Sequence, residues 1–536
     1  MEAEATATAE VVEAGAASYH PSAMTDILAM HAAAAPDKPA VVTDGGESRT
    51  YAQLNARANR VASVLQQLGL QRGDRSVQMQ FNSVHGPEIG HALRKLQCVA
   101  TPMNYRLRGA EIAYLLNDSG ARVVFAGPEF IEHIEAARPL VEDADARTFI
   151  AVTGSEAPPP GWESYEALLA GGVETEPDTP SEITGPTMIY TAGTTGNPKG
   201  AYRPTGADPA VIFRWIEVFG LRNDDVHLLA GPGYHSAPGA FASLQHILGA
   251  TLVVMRHFDP VEALRLIERH RVTTTFMAPI LVKRVVDLPE EVRRGFDVSS
   301  IRAVIVAAAP FPGDVKRRAV EFFGDVVHEF YGATETGIVT AIGPGELLRR
   351  PESCGRPMPG VEVALLDDEG NDVGVGTPGE LWSRSSGTFT EYLNKPEATQ
   401  RNFHDGYFTV GDVAYRDDEG YIYICDRKVD MIISGGVNVY PAEVEAVLHQ
   451  HPDVVDCAVI GVPDPEWGEQ IKAVVLRREG SGLTDQQVLQ FLGERVADYK
   501  RPRSVDFVAE FPRDAAGKLL KRLIRDRYWE AAGRRI

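Results

Sequence analysis

Hydrophobic positions along the chain form two alternating patterns, a helical spacing and short continuous runs. The segment that opens at Tyr51 carries apolar residues at Leu54, Ala58, Val61 and Leu65, and this spacing predicts a helix. Short apolar runs predict buried strands, at residues 121–126, 187–190, 273–278 and 301–308. Strands that alternate with helices imply a layered α/β fold in which most strands pair in parallel.

The alternation of helices and strands continues to residue 323, and the pattern changes from Gly360 onward. Asp259 and Pro260 are a good cap and first residue of a helix, and residues 314–323 predict another helix. From Gly360 onward, short apolar runs alternate with turn sequences such as Asp-Asp-Glu-Gly at 417–420. We therefore predict a β-rich subdomain of barrel or meander type after the layered part.

The last segment predicts a separate small domain. Helices at 441–449 and 484–496 enclose a strand at 454–462, and Thr484 is a candidate cap. An α+β unit of about a hundred residues fits the usual size of a domain. We predict three parts, namely a disordered tail at 1–21, a large multi-layer α/β domain with the β-rich subdomain at 22–426, and a small α+β domain at 427–536.

Composition and charge narrow the function classes. The 536 residues are 44% hydrophobic and 24% charged, as in a globular protein with a large core. The 53 basic and 74 acidic residues leave a net charge of −21, which argues against non-specific binding to nucleic acid or to an anionic membrane. No apolar run approaches the roughly 18 residues of a spanning helix, so we expect no integral membrane contact.

The cysteines and the first residues favour the cytoplasm. Cys98, Cys354, Cys425 and Cys457 lie far apart in the sequence and have no metal-ligand spacing, which favours a reduced cytosolic protein. The N-terminal residues are acidic and lack the apolar core of a signal peptide. We interpret them as a tail.

One loop predicts a phosphate site. Residues 187–200 read TMIYTAGTTGNPKG, a strand followed by a loop of Gly, Thr and Asn that ends in Pro198 and Lys199. Such a loop points backbone N–H groups and hydroxyls at one place and suits the oxygens of a polyphosphate. It is not a Walker loop, because Pro198 replaces the second Gly and Gly200 replaces the Ser or Thr that would bind Mg²⁺.

Two acidic motifs are candidates for the same site. Glu335 follows the predicted strand in VHEFYGATETG (327–337), and a carboxylate beside a phosphate loop suits Mg²⁺. Asp412 ends the motif GYFTVGD, and its carboxylate could accept both hydroxyls of a ribose. Taken alone, the first motif favours an exposed loop residue at Glu335, and the second slightly favours a turn-forming aspartate at Asp412.

Together, the motifs in this order resemble the adenylate-forming superfamily of acyl-CoA synthetases, luciferases and peptide-synthetase adenylation domains. The resemblance covers residues 25–525 and is closest to acyl-CoA synthetases of the fatty-acid or aryl-CoA ligase type. It implies that the small C-terminal domain is mobile. It also implies catalytic roles for Thr334, for Glu335 as the Mg²⁺ ligand, and for Lys518 in the ending PRDAAGK.

The resemblance assigns the remaining site residues. It implies ATP-binding residues, at Thr191, Gly193, Thr194, Thr195, Gly196, Lys199, Ala308, Ala309, Tyr331, Gly332, Asp412 and Arg427. It implies an acyl pocket at Tyr234, His235 and Gly239, a coenzyme A channel at Gly435 and Gly436, and a hinge at Val429. Small residues between 236 and 242 hint at a roomy acid pocket.

The chain departs from the family pattern at four places. Pro238 stands where a glycine is usual in the acyl segment, and Ala307 and Ala308 stand where the adenine segment usually has two glycines. The phosphate loop continues as KGAYRPT, with Arg203, instead of the family's hydroxyl-His ending. The hinge position, commonly Asp or Lys, is Val429.

The function implied is ATP-dependent activation of a small-molecule carboxylic acid to an acyl-AMP with release of pyrophosphate, followed by transfer to coenzyme A. ATP, Mg²⁺ and coenzyme A are the expected cofactors, and a homodimer is left open. One alternative enzyme hands the acyl group to an amine or a carrier-protein thiol, or carries out mainly the adenylation half-reaction. A non-catalytic nucleotide-binding regulator is the other alternative, and it would predict loss of Lys518 or Glu335, both of which are present.

Overall fold

A computed structural model describes most of the chain. The described residues are 26–153, 157–179, 182–191, 198–427, 430–434, 437–464, 468–493, 495–496, 498–513 and 519–531. The predicted tail at 1–21 lies outside them. The described part forms a large N-terminal domain of mixed α and β structure and a small C-terminal domain.

The first large sheet has eight strands and carries the predicted phosphate loop. In spatial order its strands are Glu391–Tyr392, Lys199–Arg203, Thr187–Thr191, Val99–Pro102, Arg75–Met79, Val123–Ala126, Thr148–Ala151 and Glu163–Ser164. The six strands from Thr187–Thr191 onward pair in parallel, and the first two pair antiparallel. The strand predicted at 187–190 is confirmed, and it continues through Thr191.

The second large sheet has nine strands. In spatial order they are Arg356–Pro357, Gly337–Ile342, Val327–Ala333, Ala303–Val306, Thr274–Met277, Val226–Leu229, Thr251–Val254, Pro39–Thr43 and Ser48–Thr50. Its six central strands pair in parallel, as predicted for a layered α/β fold. The strand predicted to reach residue 308 ends at Val306, because Ala308 has a left-handed backbone with φ of 81°.

Helices cover both sheets. In the N-terminal domain they are Ile27–Ala34, Tyr51–Gln67, His85–Leu96, Gly109–Ser119, Ile131–Ala137, Tyr165–Ala170, Pro209–Phe219, Ser236–Leu248, Pro260–His270, Pro279–Val286, Glu290–Arg293, Gly313–Phe323 and Pro396–Arg401. The helix predicted at Tyr51 buries all four of its apolar positions. Asp259 caps the next predicted helix, because its carboxylate accepts the N–H of Val261 at 3.0 Å and of Glu262 at 2.8 Å.

The β-rich subdomain predicted after Gly360 is a six-stranded antiparallel sheet. Its strands are Glu362–Leu366, Gly379–Arg384, Phe403–His404, Tyr407–Phe408, Asp412–Arg416 and Ile422–Arg427. The turn after Arg416 is closed by Asp417, whose carboxylate accepts the N–H of Glu419 and of Tyr421. This Asx-type turn is the local structure that the sequence Asp-Asp-Glu-Gly predicts.

The small C-terminal domain has its own sheet and core. The strands are Val437–Val439, Ile432–Ser434, Gly468–Arg477, Val454–Asp464 and Ser504–Phe507, and the helices are Pro441–Leu448, Asp485–Gly493 and Lys521–Ala531. Thr484 caps the second helix, since its hydroxyl accepts the N–H of Gln487 at 3.3 Å. The helix ends at Gly493, three residues earlier than predicted. The exact domain boundary at 426–427 stays a prediction.

Within the described residues, no helix is long and apolar enough to cross a membrane. All four cysteines belong to the described residues, where they are buried and form no disulfide bond.

Candidate active site

The candidate site lies where elements of both large sheets meet. The strands Thr187–Thr191 and Lys199–Arg203 flank the predicted phosphate loop. The strand Val327–Ala333 of the other sheet leads into Thr334 and Glu335. The short strand Glu391–Tyr392 pairs with Lys199–Arg203 of the first sheet. Its Tyr392 bonds Glu335, which follows the strand of the second sheet.

Glu335 is held by one of its two carboxylate oxygens. The Thr191 hydroxyl donates to Oε1 at 2.9 Å, and the Tyr392 hydroxyl donates to the same oxygen at 2.8 Å. The residue is only 6% exposed. Its backbone is fixed as well, because the N–H of Phe389 donates to the Glu335 carbonyl at 2.7 Å. The carboxylate therefore has a defined orientation beside the phosphate loop.

These residues fit a magnesium ion that is held mainly by substrate. Among the described residues, none donates a hydrogen bond to Oε2 of Glu335. With respect to these residues, the oxygen can therefore bind a cation. The described residues contain no cluster of three or more His, Cys, Asp or Glu side chains that could hold a metal alone. Mg²⁺ commonly takes one or two carboxylates and completes its shell with waters and phosphate oxygens.

Lys199 stands at the end of the phosphate loop, and it contacts Tyr392, the residue that also bonds Glu335. Its ammonium lies 5.0 Å from the ring centroid of Tyr392, a cation–π distance. Tyr114 donates to the carbonyl of Pro198 at 3.0 Å and anchors the end of the loop. The predicted phosphate-binding residues Gly193, Thr194, Thr195 and Gly196 lie outside the described residues.

The predicted nucleoside residues come together from separate parts of the chain. The Tyr331 hydroxyl donates to Oδ2 of Asp412 at 2.6 Å, and Asp412 is 8% exposed. Asp412 pairs with Arg427 across the antiparallel sheet. Residues 331, 412 and 427 are thus neighbours in the fold, although their motifs are far apart in the sequence.

Two backbone features shape the same region. At Gly332 a Cβ atom would lie 2.1 Å from the carbonyl oxygen of Gly337, so no larger residue fits without a shift of backbone. Ala308 keeps the left-handed conformation that glycine adopts more easily. Ala308 and Ala309 are exposed in the loop after the strand Ala303–Val306, which pairs with Val327–Ala333.

Asn82 holds the loop that leads into the predicted acyl-pocket residues Tyr234 and His235. The Asn82 amide donates to the carbonyls of Gly231 and Met255, and its oxygen accepts the N–H of Gly233 at 2.8 Å. The ring centroids of Tyr234 and His235 lie 4.2 Å apart, and the ring of Tyr105 packs edge-on against Tyr234.

Gly239 is small for a packing reason. A Cβ atom at this position would lie 2.7 Å from the carbonyl oxygen of Gly233, so the helix Ser236–Leu248 approaches the preceding loop closely there. Pro238 is buried in the same first turn. The small residue that hinted at a roomy pocket is therefore required at Gly239 by contact between backbones.

Sequence reasoning missed four residues of this site. Tyr392 holds Glu335, Asn82 holds the acyl segment, and Ser236 accepts a hydrogen bond from the Thr334 hydroxyl at 3.0 Å. Arg203 was noticed only as a departure from the family pattern, and its guanidinium bonds the carbonyl of Thr334. Tyr392 and Asn82 lie in no motif. Ser236 and Arg203 lie in stretches that the sequence analysis singles out, but their contacts, like those of the other two, join distant segments and leave no local signal.

The C-terminal site residues are not described. Lys518, Val429, Gly435 and Gly436 lie outside the described residues, and so their roles stay predictions. The segment around Lys518 is flanked by an isolated bridge between Arg513 and Leu519.

Comparisons with known proteins identify the family of the chain. The family model for AMP-binding enzymes matches residues 28–393, and the model for the C-terminal domain of AMP-binding enzymes matches residues 443–518. A fatty acid–[acyl-carrier-protein] ligase of Streptomyces coeruleorubidus is 32% identical over 97% of this chain and 99% of its own. A long-chain-fatty-acid–CoA ligase of Mycobacterium tuberculosis is 34% identical over 94% and 98%.

A solved structure is similar over the same extent. ATP-bound MatB from Rhodopseudomonas palustris superposes with a TM-score of 0.83 at 30% identity and covers 94% of this chain and 98% of its own. Both family models match in the order that the motifs predict. The chain belongs to the AMP-binding enzyme family and is an adenylate-forming ligase.

Proposed function

We propose that this enzyme joins a small-molecule carboxylic acid to coenzyme A through an acyl-AMP intermediate. In the first step a carboxylate oxygen attacks the α-phosphorus of ATP, and pyrophosphate leaves. In the second step the coenzyme A thiol attacks the acyl carbon, the carbon–oxygen bond to AMP breaks, and AMP leaves. The observation that carries the proposal is the Glu335 carboxylate, oriented by Thr191 and Tyr392 at the end of the phosphate loop.

The residues divide the work of the first step. Glu335 would hold Mg²⁺ through Oε2, and the ion supplies neutralisation of the phosphate charge when it is bound. Lys199 and Lys518 would add positive charge where negative charge develops in the transition state. Tyr331 and Asp412, already joined by a hydrogen bond, would orient the adenosine end. Thr334 would offer its hydroxyl to the α-phosphate.

The acceptor in the second step is proposed to be coenzyme A. The relative from Mycobacterium tuberculosis is a CoA ligase, and so is an indoleacetate–CoA ligase of Aromatoleum aromaticum that is 35% identical over 88% of this chain. A carrier-protein thiol is the second candidate, because the Streptomyces relative is an acyl-carrier-protein ligase. Four buried cysteines that form no disulfide bond among the described residues fit a cytoplasmic enzyme.

Pyrophosphate exchange into ATP tests the first step. We expect exchange that depends on the acid, measured with a panel of fatty, aryl and indolyl carboxylic acids. Glu335→Gln should suppress exchange while the fold persists, because it removes the charge that holds Mg²⁺ on the phosphates. Glu362→Gln is the matched control, since Glu362 also accepts a tyrosine hydroxyl at 2.8 Å but is exposed.

Product analysis tests the second step. Acyl-AMP is supplied with coenzyme A, with a carrier protein or with an amine, and the acylated product is identified by mass. Acylation of coenzyme A alone supports the proposal. If only the carrier protein or only the amine is acylated, that compound and not coenzyme A is the acceptor. Exchange at the wild-type rate in Glu335→Gln would contradict the role of that carboxylate.

A further inference from the structure

Arg203 lies in the stretch KGAYRPT, whose ending departs from the family pattern. It is the last residue of the strand Lys199–Arg203, which follows the phosphate loop. Its Nη2 donates to the Thr334 carbonyl at 2.8 Å and lies within hydrogen-bond distance of two more carbonyls, of Gly387 at 3.1 Å and Glu335 at 3.4 Å. The side chain thus contacts the backbone of both residues that are proposed to meet the phosphates and the metal.

The charge of Arg203 makes these contacts strong. Burial lowers the pKa of Arg203, and the negative charge of Glu335 opposes that shift. An arginine nevertheless keeps its proton in a protein, so a cation is held against backbone carbonyls. Hydrogen bonds from a charged donor are stronger than neutral ones, and a half-buried cation such as Arg203 needs such partners.

The geometry links Arg203 to both side chains of the pair. With the carbonyl of Thr334 turned toward Arg203, its hydroxyl reaches Ser236 at 3.0 Å. The carboxylate of Glu335 reaches Thr191 and Tyr392. The third carbonyl, of Gly387, belongs to the segment that leads to Phe389 and Tyr392, both of which hold Glu335.

We propose that Arg203 is a positioning residue that fixes the backbone of Thr334 and Glu335, so that the hydroxyl and the carboxylate face the nucleotide phosphates and their metal. This inference rests on the proposed function. It assigns a role to the arginine of the KGAYRPT stretch that follows the phosphate loop. The planar fork of arginine can contact several carbonyls at once, whereas a lysine ammonium is a point charge.

The test compares Arg203→Met and Arg203→Lys with the wild type. Calorimetry measures ATP binding with Mg²⁺ and with a chelator, and the ratio of the two dissociation constants gives the gain in affinity that the metal provides. We expect Arg203→Met to lose most of that gain while metal-free ATP binding changes little. We expect pyrophosphate exchange to fall about tenfold or more in kcat, with the KM for the acid unchanged.

A control variant and a rescue separate positioning from general stability. Arg122→Met removes an arginine that also bonds a backbone carbonyl, of Gly69 at 2.8 Å, before the first residue of a strand in the same sheet. It should leave the metal-dependent gain and the exchange rate unchanged. Arg203→Lys should keep the fold and recover only part of the gain, because it preserves the charge and not the fork.

Each result decides the inference. Arg203 variants that melt normally and keep the wild-type metal-dependent gain would overturn it, as would a loss of thermal stability with full exchange activity. Thermal melting of both variants identifies an unfolded Arg203→Met, in which case Arg203→Lys carries the test. If the wild type shows no acid-dependent exchange, the proposed function fails, and the calorimetric comparison still tests Arg203.

Discussion

Removal of one hydroxyl, in Tyr392→Phe, tests how Glu335 is oriented. The Tyr392 hydroxyl donates to Oε1 of Glu335 at 2.8 Å, and its ring lies near the Lys199 ammonium and 4.8 Å from the Phe389 ring. Phenylalanine keeps the ring and both ring contacts. The variant therefore removes the hydroxyl that donates to the carboxylate and keeps the ring.

The size of the effect follows from the kind of bond. A hydrogen bond to a charged group contributes about 1.5–3 kcal/mol. Thr191 keeps its own bond to the same oxygen, so we expect the lower end, about 1.5 kcal/mol. About 1.4 kcal/mol corresponds to a factor of ten in rate, so kcat/KM for MgATP should fall about tenfold.

The assay is acid-dependent pyrophosphate exchange at varied MgATP, with Tyr407→Phe as the control. Tyr407 also donates to a glutamate, Glu362, at 2.8 Å, but this pair is exposed on the antiparallel sheet. Tyr407→Phe should therefore behave as wild type. Equal kcat/KM in the two variants would refute the idea that the Tyr392 hydroxyl orients Glu335.

Four further predictions concern stability and the two half-reactions. Burial lowers the pKa of His246, which lies 3.1 Å from His91, to about 4. A histidine in the unfolded chain has a pKa of about 6.5 and so binds its proton more tightly. The free energy of unfolding should therefore fall by about 3 kcal/mol for His246 as the pH drops from about 6.5 to about 4, as measured by urea unfolding. Gly332→Ala should destabilise the protein and suppress exchange, because its Cβ would meet the Gly337 carbonyl, whereas Gly90→Ala, with nothing within 4 Å, should do neither. Lys518→Ala should reduce pyrophosphate exchange far more than coenzyme A transfer from supplied acyl-AMP. Val429→Lys should speed that transfer and leave exchange nearly unchanged, because Val restricts backbone change at a hinge.

The opposite outcomes are equally specific. Stability that does not change between pH 6.5 and 4 in the wild type would contradict a neutral, buried His246. A Gly332→Ala variant with normal melting and exchange would contradict the close approach of the two strands. Equal losses in both half-reactions would contradict a role of Lys518 confined to adenylation. An unchanged transfer rate would leave Val429 as a tolerated substitution.

The sequence predicts the local features of this protein well. The helix Tyr51–Gln67 buries each apolar position that defines its period, and Asp259 caps the helix that it is expected to cap. The glycine- and threonine-rich loop and the Tyr331-Gly-Ala-Thr-Glu motif are local signals too, because a strand and the loop that follows it are contiguous. Such features depend on neighbouring residues, and residue type and spacing are sufficient to predict them.

The contacts that orient the site could not be predicted in this way. Tyr392 is 57 residues from Glu335, and it reaches the carboxylate only because a two-residue strand pairs with Lys199–Arg203. A strand of two residues has no periodic pattern. The conformation of Ala308 was hidden for another reason, since an apolar run predicts a strand to 308, whereas the backbone turns left-handed there.

The path of the carboxylate oxygen gives the most direct test of adenylate formation. An acid that supports pyrophosphate exchange is prepared with heavy oxygen (¹⁸O) in its carboxylate and is incubated with the enzyme, ATP, Mg²⁺ and coenzyme A. Attack of the carboxylate on the α-phosphorus, followed by cleavage of the acyl carbon–oxygen bond, predicts AMP that carries one heavy oxygen. Unlabelled AMP, or ADP together with labelled phosphate, would contradict an acyl-AMP intermediate.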